Sequence, residues 1–279
     1  MFTLPELEAA ARLVHAAFPP TPQYAWPLLA ERVGAEVWVK HENHTPTGAF
    51  KVRGGLVFME RLKRDNPGVP GVVSATRGNH GQSLAYAGAR HGIPVTILVP
   101  RGNSAEKNNA MRAQGARLIE HGADFDEARE EAARLAKTEG LVFAPSFARD
   151  LLGLSTEIIG VQSTEAPAYA LSFAAGHVVT TPSATTRADG MATRIPDAGA
   201  LEIIRKGAAR IVTVTDDEVA AAMRAYWQDT HNLAEGAGAA PLAALMQEGV
   251  AMRGKRVGVV LCGGNIDLAL FRDWAMVRA

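Results

Sequence analysis

From Pro67 onward the chain alternates short, continuously apolar runs with longer stretches of helical spacing, and that rhythm leaves few folds open. Residues 71–74, 95–99, 117–120 and 141–143 have strand length, while 78–91, 105–114 and 125–137 have helix length. A strand entered after a helix of about three turns makes a βαβ unit and hence a parallel sheet. Runs that are apolar throughout, rather than at alternate positions, suit strands covered on both faces. The rhythm resumes at 157–161, 200–209, 210–214, 216–227 behind the capping residue Thr215, and 256–261. Earlier, 4–18 reads as a helix stopped by Pro19-Pro20, 36–40 as a strand and 50–62 as a helix. The expected class is therefore α/β, with open, largely parallel twisted sheets under helices on both faces. With 279 residues there is chain enough for two cores. The expected division is 1–67 and 148–279 as two parts of a larger domain and 68–147 as a small α/β domain. The active site is then expected in the cleft between them, near the strand C-termini.

Charge excludes some partners. Lys plus Arg equals Asp plus Glu at 29 each, so neither a nucleic acid nor an anionic membrane is expected, because both are bound through excess positive charge. The single cysteine, Cys262, cannot make an internal disulfide, and Glu6 and Glu8 break up the opening residues. Both fit a cytoplasmic protein without a secretory signal. Apolar runs stay far below the about 20 residues of a membrane span.

Four segments carry candidate chemistry. Lys40-His41-Glu42-Asn43 leads into Pro46-Thr47-Gly48-Ala49-Phe50-Lys51, which puts Lys51 at a helix start. The positive potential there and partial burial would make its amine a nucleophile and base; a solvated cap lysine would look the same. Ser74-Ala75-Thr76-Arg77-Gly78-Asn79-His80-Gly81-Gln82 lies where a strand turns into a helix, so its N–H groups can converge on a carboxylate. A polar turn is the plainer account. Leu261-Cys262-Gly263-Gly264-Asn265 ends the last strand and could offer a thiol to a cofactor ring, or Cys262 could be buried filler. Asn232-Leu233-Ala234-Glu235-Gly236-Ala237-Gly238 combines an acid with small residues, as a ligand site or a tight helix start would.

In this order the four segments resemble the threonine/serine dehydratase (ammonia-lyase) branch of the pyridoxal-phosphate enzymes with the tryptophan-synthase β fold (fold type II). The resemblance covers most of the chain. It implies pyridoxal 5'-phosphate as cofactor, Lys51 as its Schiff-base lysine and the base for the substrate α-proton, and Phe50 packed against the ring. It implies Asn79 as partner of the ring hydroxyl, Cys262 and Gly263 at the pyridine nitrogen, and Glu235 near the ring. Thr76, Arg77, Gly78, Asn79 and His80 become the loop that receives the substrate. The implied reaction is elimination of water from a β-hydroxy amino acid such as L-threonine or L-serine, giving a 2-oxo acid and ammonia. A homodimer is implied as well. A same-fold β-replacement synthase and a catalytically inactive binding protein stand as rivals. A nicotinamide-binding protein does not, because no Gly-x-Gly-x-x-Gly follows a first strand.

The sequence departs from that family at three places. A glycine-rich phosphate loop belongs in the large domain after 143–145, and none occurs there. The junction is also too short for a crossover between parallel strands, so roughly forty to fifty residues are missing by comparison. Either a segment is omitted or the protein is naturally shortened and could not cradle the phosphate normally; this reading favours omission and expects a spatial break within Ser146 to Ala148. Arg77 replaces a small residue; its guanidinium cannot serve as a racemase's proton donor but could clamp a second carboxylate, as on 3-hydroxyaspartate. Gln162 and Ala168 stand where some relatives place acidic metal ligands, with Glu165 nearby, so no metal is expected. The chain stops soon after Trp274, and an appended regulatory domain is not expected.

Overall fold

The strand and helix rhythm is realised as expected in a computed structural model that describes residues 3–139, 142–143 and 156–276. Along the chain come α1 (Leu4–Ala17), β1 (Gln23–Ala25), α2 (Pro27–Val33), β2 (Glu36–His41), α3 (Val52–Asp65), β3 (Val72–Ala75) and α4 (Asn79–His91). Next are β4 (Val95–Val99), α5 (Ala105–Ala113), β5 (Arg117–Glu120), α6 (Phe125–Glu139) and β6 (Val142–Phe143). The later part holds β7 (Ile159–Ser163), α7 (Ala168–Ala175), α8 (Ala198–Gly207), β8 (Arg210–Val214), α9 (Asp216–Thr230), α10 (Gly236–Gln247) and β9 (Arg256–Leu261). The expected break between Ser146 and Ala148, and the helix expected beyond it, lie outside the described residues. No described helix is long and apolar enough to cross a membrane.

Contacts divide the chain into two units, residues 5–20 with 43–146 and residues 1–4 with 21–42 and 147–279. The sequence reading drew the line at 67 instead, leaving α3 with the larger part. Packing explains the difference: α3 lies along α4, and Val52, Leu56 and Met59 share a core with Leu84, Ala85 and Ala87. Gly55 makes that approach possible, because a Cβ on it would stand 2.3 Å from Ser83 Oγ and 2.8 Å from the Ser83 carbonyl oxygen.

The unit of residues 5–20 and 43–146 has one four-stranded parallel sheet ordered β5-β4-β3-β6. β3 and β4 are buried at every position, as their unbroken apolar character requires. One face carries the core of α1, α3, α4 and α5 side chains with Val72, Val95 and Ile97; the other packs Val73, Ala75 and Leu98 against Ala128 and Ala132 of α6.

The other unit is organised around α10, which packs on β7, β8 and β9. Its strands form two separate ladders: β1-β2-β9, where β1 is antiparallel and β2 pairs with β9 in parallel, and the parallel pair β7-β8. A single core gathers Val37, Val39, Val214, Val259 and Leu261 with Met223, Tyr226 and Leu242 of α9 and α10. Here the expectation of covered faces is met on one side only. Gly258 and Val260 of β9 are exposed, Val260 to 45%.

Candidate active site

Lys51 is fixed by the turn before it. The Thr45 hydroxyl accepts the Ala49 N–H at 2.9 Å and donates to the Ala49 carbonyl at 2.8 Å. Gly48 turns the chain at φ 67°, a conformation that favours glycine. Ala49 is fully buried, so the next residues are presented from a rigid base. Lys51 has helical backbone angles at the N-cap of α3, and its Nζ lies 4.8 Å from the Phe50 ring centroid. Its carbonyl accepts the Ser83 hydroxyl of α4 at 2.6 Å. The amine is thereby tied to the helix that follows the Thr76–Gly78 loop.

That loop is shaped for close approach at the α4 N-terminus. The Thr76 hydroxyl accepts the Gly78 N–H at 3.1 Å, and Thr76 itself is buried. A Cβ on Gly78 would meet Lys107 Cδ at 2.9 Å, and one on Gly81 would meet Met111 Sδ at 2.3 Å. Helix α4 starts without a side-chain cap and without an acidic residue in its first turn, which leaves N–H groups and a positive dipole end for an anion. Asn79 and His80 form its first turn and are half-buried. Arg77 is exposed, and its carbonyl accepts Asn103 Nδ2 at 3.2 Å. Gln82, one turn further along, is buried with its amide nitrogen lacking a hydrogen-bond partner.

Glu235, Cys262 and Gly263 come together in the other unit. Glu235 is the buried N-cap of α10, and its N–H donates to the Gly263 carbonyl at 3.1 Å. A Cβ on Gly238 would stand 2.4 Å from that same carbonyl oxygen, and one on Gly236 would meet the Trp274 ring at 2.7 Å. The small residues of this segment thus serve to press α10 onto the turn after β9. Tyr226 of α9 is completely buried, its hydroxyl has no hydrogen-bond partner among the described residues, and burial, with nearby Cys262 second, pushes that hydroxyl's pKa up.

Sequence reasoning passed over Ser83, Gln82 and Tyr226. Ser83 and Gln82 had a signal, since they sit four and three residues after Asn79 on a helix whose start was already suspect. Tyr226 had none, because an aromatic on an apolar helix face reads as core. At the positions considered for a metal, Gln162 is buried and its side-chain oxygen accepts the Ala170 N–H of α7 at 3.1 Å. Among the described residues no three His, Cys, Asp or Glu gather at one place.

A parallel α/β protein with a lysine at one helix start tied to an open, acid-free helix start belongs to a class that handles small anionic substrates through an amine. Residues 14–154 and 149–263 match the profile of the family described as pyridoxal-phosphate dependent enzyme. The chain is 32% identical to an L-threonine ammonia-lyase of Geobacter sulfurreducens, over 86% of this chain and 69% of that one. It is 30% identical to an L-threonine ammonia-lyase of Thermotoga maritima, over 96% of this chain and 77% of the relative. Its fold matches that of a solved threonine deaminase from T.th. with a TM-score of 0.87 at 25% identity, covering 96% and 99% of the two chains. This protein belongs to the pyridoxal-phosphate-dependent enzyme family, and its fold is the one called type II.

The residues present suit that cofactor unevenly. For the ring and aldehyde the chain offers Lys51, Phe50 and Asn79 in one unit and Cys262, Gly263 and Glu235 in the other. For the phosphate, the unit holding Cys262 offers no open seat among its described helices of eight residues or more. Gln162 takes an N–H of α7, Asp197 accepts the Ala200 N–H of α8, Thr215 and Glu218 cap α9 reciprocally, and Glu235 stands at the start of α10. A dianion would meet carboxylates at three of the four. At the described helix starts of this unit a phosphate would meet a carboxylate or an N–H already taken by a side chain.

Proposed function

We propose that this protein deaminates a β-hydroxy amino acid, L-threonine or L-serine, to a 2-oxo acid and ammonia, as a cytoplasmic homodimer acting on a free small-molecule substrate. The observation that carries the reading is the 2.6 Å bond from Ser83 to the Lys51 carbonyl, which ties the backbone that bears the amine to the helix that starts at the anion seat. In this reading the start of α4 at Asn79 and His80, with the Thr76–Gly78 turn before it, receives the substrate carboxylate. The Lys51 amine, 4.8 Å from the centre of the Phe50 ring, takes the proton from Cα. Cys262, Gly263 and Glu235 face the ring, and a thiol there leaves the pyridine nitrogen less firmly protonated than a carboxylate would. Pyridoxal phosphate, when bound, supplies the electron sink that makes the Cα proton acidic. The substrate loses that proton and its β-hydroxyl as water, and hydrolysis releases ammonia.

Support for the cytoplasm is the lone free Cys262; support for the dimer is the family resemblance alone. The test is conversion of L-threonine to 2-oxobutanoate by the purified protein with saturating pyridoxal phosphate. No conversion at any cofactor concentration would remove the reading and leave the binding-protein rival.

Arg77 favours a second, narrower reading, in which the preferred substrate carries another carboxylate, as 3-hydroxyaspartate does. Arg77 is exposed and directly precedes the α4 start. Arg77→Ala is then expected to lower kcat/KM for 3-hydroxyaspartate relative to L-threonine by about 10- to 100-fold, the worth of one charge-assisted hydrogen bond. Unchanged selectivity would remove the clamp.

A further inference from the structure

The unit built on α10 has parallel strands in two ladders that share one helix and one core. Among the described residues, β9 pairs only with β2 and β7 only with β8. Each therefore presents a bare edge, although both strands have the apolar character of a sheet interior. The faces beside these edges are open too. Val260 and Ile158 are 45% and 42% exposed, and an apolar groove of about 350 Å³ runs between β7, Ile211 of β8 and Ile203 and Ile204 of α8.

Chain length points to the occupant. The alignment with the Thermotoga relative extends over 309 positions, whereas this chain has 279 residues, so on the order of forty positions of the relative have no counterpart here. The two family matches, 14–154 and 149–263, meet where β6 gives way to β7. A crossover helix of a dozen or more residues, a strand of five or six and the turns between them account for a segment of about that size.

We propose that this unit has an unfilled position for one parallel strand between β9 and β7. Its occupant is a helix, strand and glycine-rich turn of about forty residues that the chain lacks between Phe143 and Ile159, and without it the described residues of this unit offer no seat for the cofactor phosphate. The inference rests on the reading of the site as a pyridoxal phosphate centre. It accounts together for the bare edges, the exposed faces and the closed helix starts.

Titrating the 279-residue protein with pyridoxal and with pyridoxal phosphate, followed by visible absorbance, tests it. The two should bind within about threefold of one another, because the described helix starts of this unit offer the phosphate no cluster of N–H donors clear of acids and side-chain caps. A preference for pyridoxal phosphate on the order of a hundredfold, in a monomer or in a dimer paired through these edges, would overturn the proposal. A second protein carries the unmatched stretch of the Thermotoga relative inserted after Phe147. That protein should gain the hundredfold preference and keep the cofactor through gel filtration; if it melts cooperatively and still shows none, the proposal is wrong. Lys51→Ala separates the two readings. If it binds both aldehydes as the parent does, the assignment of Lys51 fails while the ratio still decides the strand position.

Discussion

Lys51→Ala is expected to lower the rate of L-threonine deamination by about 10³- to 10⁴-fold, the span that a positioned base commands, while the protein melts within a degree or two of the parent. The two halves of that expectation have different sources. The side chain caps no helix end, and its recorded contact is the Phe50 ring at 4.8 Å, so little packing is lost. The bond that anchors this position runs from Ser83 to the backbone carbonyl, which alanine keeps. The chemical loss is large because the substitution removes the proposed base itself. Lys51→Arg should fare no better, since a guanidinium remains protonated and cannot accept the Cα proton. Turnover by Lys51→Ala within tenfold of the parent would end the assignment.

Two adjacent glycines of α3 should respond to alanine with opposite signs. Gly54 has nothing within 4 Å of the position its Cβ would occupy, so Gly54→Ala should stabilise by about 0.5–1 kcal/mol through helix propensity alone. Gly55 faces Ser83, with its hydroxyl oxygen at 2.3 Å and its carbonyl oxygen at 2.8 Å from a would-be Cβ. The serine hydroxyl can rotate away, but the α4 backbone cannot. Helix α3 must then lift, and the Ser83 bond to Lys51 stretches or breaks. Gly55→Ala is expected to cost about 2–4 kcal/mol net of the propensity gain, to lower the melting midpoint and to slow deamination by moving the amine. Equal effects at Gly54 and Gly55, read by thermal melting, would mean that the α3 and α4 contact is not the tight one described.

Most of the fold was legible because strand burial and sequence period agree. The runs that became β3 and β4 are nearly all apolar and buried at every position, and the helices between the strands have the spacing that βαβ crossovers impose. β7 was read two residues early, at 157–161, because its true end is polar: Gln162 and Ser163 are buried, but they serve α7 and the Glu165 N–H as caps. Helix α10 was seen only as a tight start, since Pro241 and a run of alanines and glycines hide a helix of 12 residues. The domain line at 67 failed to anticipate that Gly55 lets α3 lie flush on α4. At the site, Lys51, the Thr76–His80 loop and the Glu235 and Cys262 segments were legible as motifs with fixed neighbours. Ser83 and Tyr226 were not, because their importance comes from which backbone or thiol lies across from them.

The pairing of β2 with β9 also sets an order of events during synthesis. Glu36 meets Arg256 and His41 meets Leu261 in one parallel ladder, a separation of 220 residues. At typical translation rates the partner strand leaves the ribosome roughly 10–40 s after β2 does. By then the other unit, complete once residue 146 has emerged, has had time to form its own core. For those seconds Val37 and Val39, buried in the finished protein, have only the short antiparallel β1 and the two turns of α2 for company. The nascent chain is most exposed to mispairing and to proteases at its oldest end.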